Sequence, residues 1–402
     1  MRRPRLVLVG NGMAGMRAIE EILDRAPDRF AITVFGAEPH GAYNRILLSP
    51  VLAGEKRFAD ILTHDRAWYA ARGIELITGE AVVAIDRAAR RVRGAAGTER
   101  GYDVLLLATG STPLMLDLPG AGLPGVRGFR DIADVEAMLA GGARRAVVIG
   151  GGLLGLEAAH GLARRGMAVS VVHLMASLME RQLDPLSAGL LRADLVARGI
   201  EVHTAATTRA ILGDDQVRAV ELACGTTIPA DLVVMAAGIR PAVALARAAG
   251  LACGRGITVD DALRTSDAAI FAVGECAEHR GQVFGLVAPL WEMARIAAGH
   301  IAGQETSAFA AAPPATRLKV SGIDMFSAGD FADGAGREVL TFQDRARGIH
   351  KRLVLHADRL IGAVLYGDAG DGAWYDSLIT AADTIAARRD LLLFGPAMAR
   401  AA

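Results

Sequence analysis

Gly10-Asn11-Gly12-Met13-Ala14-Gly15 and Gly150-Gly151-Gly152-Leu153-Leu154-Gly155 share one spacing, G-x-G-x-x-G, and that spacing has a chemistry. The first glycine permits a tight turn from strand to helix. The second lets the backbone approach a pyrophosphate, and the third lets helix and strand pack closely. The helix that follows aims unpaired N–H groups and the positive end of its dipole at the phosphates. In a chain with 47 glycines one such turn is weak evidence; two at a constant offset of 140 residues are strong. The residues therefore predict two dinucleotide sites.

The elements that must position them are also written twice. Each turn follows an apolar, β-rich run ("RLVLVG", "RAVVIG") and precedes a helical pattern and a second apolar strand ("AITVF", "VSVV"). An acid just past that second strand commonly takes the adenosine ribose diol. Glu38, 28 residues beyond Gly10, is either that ligand or a solvated loop carboxylate. In the second copy the position is His173, which either bonds a ribose hydroxyl or merely ends its strand. An acid there argues for NADH and an arginine cluster for NADPH; with neither, the reading is NADH with NADPH not excluded. Both copies also carry a later strand with an A-x-G ending, Ala108-Thr109-Gly110 and Ala236-Ala237-Gly238. Another strand ends at Gly274-Glu275, where the carboxylate suits either sugar hydroxyls or the start of a helix. Residues 80–107 read as a small β-meander, and "KRLVLHADRLIGAVLYG" as a hairpin turning at His356–Arg359.

Composition narrows the class. Apolar residues are 52% and charged residues 22% of 402, which predicts a folded chain of two or three domains. With 44 basic and 44 acidic residues the formal charge is zero, so no nucleic-acid or acidic-membrane partner is expected. No apolar run reaches the ~18 residues of a membrane span, and the chain reads as cytoplasmic. Cys224, Cys253 and Cys276 form no CxxC pair, and the nine histidines show no ligand spacing, so no protein-bound metal is expected.

The marks "GNGMAG", "LLLATGSTP", "GGGLLGLE", "AAGIRP" and "FAVGECA", in that order, resemble the two-dinucleotide flavoprotein reductases of the pyridine nucleotide-disulfide oxidoreductase family, of glutathione-reductase type. "YNRILLSPVLAGE" and "LMERQLD" resemble the rubredoxin-reductase branch. Most of all they resemble the FAD/NAD module of assimilatory nitrite reductase large subunits and the diaphorase (electron-transfer) subunits of assimilatory nitrate reductase. The resemblance implies an α/β fold with two Rossmann-like domains and a small α+β C-terminal domain. Its parts are an FAD domain (1–112 and 246–312), an inserted NAD(P)H domain (113–245) and the C-terminal domain (316–402), with 308–316 as linker. It also implies that Gly10, Gly12, Met13, Ala14, Gly15, Glu38, Arg45, Ala108, Thr109, Gly110, Gly274 and Glu275 hold FAD, with Pro289 and Trp291 near the flavin. Gly150, Gly152, Leu154, Gly155, His173 and Gly238 fall to the nicotinamide coenzyme. Glu157 either orients the nicotinamide carboxamide or is a helix-dipole acid. Related ferredoxin reductases have a lysine where this chain has Pro50.

The implied activity is an FAD-dependent NAD(P)H oxidoreductase. No cysteine lies near the first helix, and Cys276 reads as buried and inert, so the electrons are expected to leave the flavin for a partner protein. That partner is either the catalytic subunit of a nitrate or nitrite reductase or a rubredoxin- or ferredoxin-like carrier. A third reading is a flavin-bearing structural or regulatory protein with vestigial redox activity. The chain ends at Ala402 without a siroheme-binding region, so the catalytic centre is expected on another chain.

Overall fold

The computed structural model describes residues 2–304, 308–311, 316–320 and 322–399; residues 312–315, the middle of the expected linker, lie outside them. The chain divides into two compact units. One comprises residues 1–48, 56–113 and 239–312, the other residues 49–55, 114–238 and 313–402.

In the first unit, strands Arg5–Val9, Ala31–Gly36, Glu75–Thr78, Val104–Leu107 and Ile270–Ala272 form one parallel sheet. Arg5–Val9 lies at its centre, and Ile270–Ala272 closes one edge against Val104–Leu107. A parallel sheet covered on both faces needs continuous apolar runs rather than alternation. Leu6, Val7, Leu8 and Val9 are accordingly all buried, as are Leu105, Leu106 and Leu107. Helix Met13–Arg25 and helix Val287–Ile301 pack together on this sheet. The expected meander is present as Val82–Asp86, Arg91–Gly94 and Glu99–Gly101, whereas Val104–Leu107 belongs to the parallel sheet.

The second unit repeats the plan. Strands Val126–Arg127, Leu232–Met235, Arg145–Ile149, Ala168–Val172 and Ile200–His203 form a parallel sheet in that spatial order. It carries its own antiparallel meander, Thr208–Leu212, Ala219–Leu222 and Thr227–Pro229, so the internal repeat extends beyond the glycine turns.

The same unit ends in a five-stranded antiparallel sheet and helix Gly372–Ala381. Its hairpin turns where expected, with His356 opposite Arg359. Ala357 and Asp358 both have positive φ, 48° and 58°, as a two-residue type I′ turn requires. This sheet is fastened to helix Pro185–Ala197: the buried Tyr366 hydroxyl donates to Asp194, and His350, also buried, lies 3.6 Å from Asp184. Among the described residues no helix is long and apolar enough to cross a membrane.

Candidate nucleotide-binding sites

The first glycine turn is built as its spacing requires. Gly10 has φ +107°, and a Cβ there would lie 2.2 Å from the Ala108 carbonyl oxygen. Gly15 would meet the Gly10 carbonyl at 2.8 Å and the Ala108 side chain at 2.9 Å. Gly12 precedes helix Met13–Arg25 with nothing within 4 Å of its Cβ position, so the helix N-terminus stands open to a ligand. Thr109 Oγ1 donates to the Ala242 carbonyl at 2.8 Å, fixing the A-x-G segment.

Two further groups converge on this turn. Gly274 has φ +85°, and its Cβ position lies 3.0 Å from Ala14, which brings Gly274-Glu275 beside the turn. Ser111 Oγ donates to Glu275 at 2.8 Å. Beyond the second strand, Glu38 accepts from the Tyr43 hydroxyl at 2.7 Å and from the Arg45 guanidinium. Tyr43 also lies under the Arg45 cation at 5.0 Å. Glu38 and Arg45, named from sequence, are thus one assembly, and Tyr43 is its unanticipated third member. Trp291, on helix Val287–Ile301, is covered by the Arg17 guanidinium at 5.1 Å; Pro289 is half-buried two residues earlier. Cys276 is fully buried, its thiol directed at the Val273 carbonyl, and burial pushes its pKa up. That environment suits an inert thiol.

The second turn reproduces the first. Gly150 has φ +129°, and its Cβ would lie 2.3 Å from the Ala236 carbonyl oxygen, the counterpart of Ala108; Gly155 would meet the Gly150 carbonyl at 2.1 Å. Gly152 opens helix Leu153–Arg164, and Leu154 sits half-buried in its first turn. Gly238, φ +132°, accepts from Leu114 N–H at 2.9 Å. The middle glycine has a separate reason: a Cβ on Gly151 would lie 2.6 Å from Leu178 and 2.7 Å from the His173 ring.

His173 differs from its sequence reading. It is buried, its Nδ1 accepts from Gly151 N–H at 3.0 Å, and its Nε2 lies 3.1 Å from Glu180 Oε2. Both ring nitrogens are occupied within the protein, so neither is left for a ribose hydroxyl.

Glu157, on the same helix, accepts from Ser49 Oγ at 2.7 Å. Ser49 belongs to the segment 49–55, which lies against this helix. Arg165 donates to the Leu52 and Val51 carbonyls at 2.8 and 3.2 Å, and a Cβ on Gly161 would lie 3.0 Å from Leu52. Burial pushes the Glu157 carboxyl above its ordinary range, only partly offset by the Ser49 hydroxyl. A carboxyl raised by folding contributes stability that is present below its ordinary pKa and is lost as pH rises through the raised value. Glu157→Gln keeps an acceptor for Ser49 and removes the ionisation. The stability of Glu157→Gln relative to the native protein should therefore increase as pH rises from 4 to 8, measured by urea unfolding. A pH-independent difference would show that Glu157 titrates normally.

The comparisons with known proteins agree with this geometry. The family model described as pyridine nucleotide-disulphide oxidoreductase matches residues 4–305, and that of the rubredoxin NAD+ reductase C-terminal domain matches residues 314–382. Over 381 residues the chain is 49% identical to nitrite reductase [NAD(P)H] of Bacillus subtilis, covering 94% of this chain and 47% of that protein. It is 43% identical to the assimilatory nitrate reductase electron transfer subunit of the same organism, covering 98% and 51%. The chain thus spans about half the length of these curated relatives. Among solved structures, the ferredoxin reductase for the CYP199A2 system of Rhodopseudomonas palustris superposes with a TM-score of 0.85 at 28% identity, covering 95% and 96%. Two glycine turns of one design, each at the head of a parallel sheet, and a matching family model over three quarters of its length place this chain in the pyridine nucleotide-disulphide oxidoreductase family, as an oxidoreductase that uses FAD and NAD(P)H.

Proposed function

We propose that this protein carries electrons from NADH through FAD to a partner protein, as the electron-transfer component of an assimilatory nitrate or nitrite reductase. The observation that carries this reading is the likeness to two such reductase components over more than nine tenths of the chain, C-terminal sheet included, at 49% and 43% identity. The likeness to the ferredoxin–NAD(+) reductase component of a biphenyl dioxygenase system is 36% and covers 68% of the chain. A rubredoxin- or ferredoxin-like carrier as acceptor is the second reading, favoured by the C-terminal domain's own family match.

In this reading the Gly10–Gly15 turn holds the FAD pyrophosphate, Glu38 with Tyr43 and Arg45 holds its adenosine, and Glu275 takes hydroxyls of the ribityl chain. The Gly150–Gly155 turn holds the nicotinamide coenzyme. Bound FAD supplies the chemistry, accepting a hydride and releasing electrons singly. The chain's own residues orient the two nucleotides and exclude water; no nucleophile or general base is required of them. The three cysteines are free and Cys276 is buried, which supports direct release to an external acceptor rather than through a disulfide.

Rapid mixing of FAD-loaded protein with NADH should bleach the flavin absorption, and a siroheme- and iron–sulfur-containing nitrite reductase module should restore it. Reoxidation by rubredoxin or ferredoxin but not by that module would transfer the assignment to the second reading. Failure of both NADH and NADPH to bleach the flavin would leave only a vestigial site.

A further inference from the structure

We propose that Glu180, held in place by His173, is the carboxylate that selects NADH over NADPH. The inference rests on the second glycine turn binding a nicotinamide dinucleotide and adds the residue that discriminates between the two coenzymes.

When a pyrophosphate sits on the N-terminus of helix Leu153–Arg164, the adenosine ribose falls beyond the end of the neighbouring strand Ala168–Val172. The residue there, His173, cannot bind it. Nδ1 accepts the Gly151 N–H, so the imidazole proton is on Nε2, and Nε2–H donates to Glu180 Oε2. The histidine thus links the glycine turn to a carboxylate seven residues away in sequence. A second tie fixes the same loop, since Met179 N–H donates to the Gly151 carbonyl at 3.0 Å. Met179 turns the chain with φ +50°, presenting Glu180 next.

The Glu180 side chain remains 35% accessible while its Oε2 is fixed by the buried ring. Leu174 and Met175, directly after the histidine, are exposed at 64% and 48%. Apolar side chains exposed at a strand end beside an oriented carboxylate fit an adenine face and a ribose diol. They do not fit a 2′-phosphate, which a carboxylate repels and which calls for arginine or lysine. His173 is therefore a positioning residue, and Glu180 is the acid that the strand end itself lacks.

The test is direct binding, independent of turnover. NAD+, NADP+ and ADP are titrated calorimetrically into FAD-loaded native protein and into Glu180→Gln, Glu180→Arg and His173→Asn. Native protein should prefer NAD+. Glu180→Gln, nearly isosteric, should reduce the NAD+/NADP+ affinity ratio about tenfold, and Glu180→Arg should reduce it further or invert it. Asparagine can still accept the Gly151 N–H but is too short to reach Glu180. His173→Asn should therefore keep most of the affinity for ADP while losing part of the NAD+/NADP+ ratio. A purely structural role would lower all affinities together and leave the ratio unchanged. An unchanged ratio in both Glu180 variants would overturn the proposal. Failure of the native protein to bind either coenzyme would instead refute the dinucleotide site itself.

Discussion

Gly10→Ala is expected to purify without flavin, and Gly150→Ala to retain flavin but fail to bind NADH. Both glycines have strongly positive φ, +107° and +129°, which costs a residue with a Cβ about 1–3 kcal/mol. In both, the Cβ would also lie 2.2–2.3 Å from a backbone carbonyl oxygen, a group that cannot rotate away. The turn must open, and the helix N-terminus behind it leaves the phosphates. About 3 kcal/mol is roughly a hundredfold in affinity. The two substitutions should separate cleanly because each turn belongs to its own sheet in its own unit. Flavin content and calorimetric NADH binding check it. Equal loss of both ligands in either variant would contradict the assignment of one dinucleotide to each turn.

Asp184→Asn is expected to reduce stability by about 2–3 kcal/mol at neutral pH and to remove the part of the protein's acid sensitivity that this carboxylate contributes. Asp184 is 6% exposed and caps helix Pro185–Ala197, accepting from the Leu186 and Ser187 amides and, at 2.6 Å, from the Ser187 hydroxyl. Burial alone would raise its pKa. The His350 imidazole at 3.6 Å and the Ser187 donors outweigh burial and hold the carboxyl at about 2. The folded value is thus depressed, so the stabilisation is present above the ordinary carboxylate pKa of about 4 and is lost as pH falls from there through about 2. Urea unfolding of native and variant protein between pH 6 and pH 2 should give curves that converge at the acid end. Parallel curves would show that Asp184 is not held as an anion by folding. Its place at the end of the loop that begins at His173 also predicts weaker coenzyme binding in the variant.

What could be read from the residues in advance was local. A G-x-G-x-x-G between strand and helix states its own geometry, because positive φ and close backbone approach admit no other side chain. Glu38 and Arg45 lie seven residues apart and meet. The groups that escaped were those whose meaning comes from a partner that no motif announces, whether near or far along the chain. Ser49 meets Glu157 across 108 residues, and nothing around "LLSPVLAGE" announces that it lies on the second glycine helix. Tyr43 is an ordinary strand aromatic until its hydroxyl is seen on Glu38. His173 was legible as a departure but not as a linker, since Gly151 and Glu180 flank it in space rather than in sequence. The meander Thr208–Pro229 has strands of five, four and three residues, the same lengths as the first meander, so strand length alone does not explain why only the first is legible. The boundary also moved. The chain re-enters the first unit at Ile239 rather than 246, because Ile239–Pro241 pairs antiparallel with Ser111–Pro113.

The interrupted first unit has a consequence for synthesis. Its sheet has four strands by Leu107 but waits for Ile270–Ala272 to cover the open side of Val104–Leu107, and for helix Val287–Ile301 to cover helix Met13–Arg25. The second parallel sheet, between Val126 and Met235, emerges complete in that interval. At ribosomal speeds an unpaired apolar strand edge would be exposed for roughly ten to thirty seconds. The nascent chain is therefore most vulnerable to association midway through translation, when the second parallel sheet is already built and the first still lacks its edge strand.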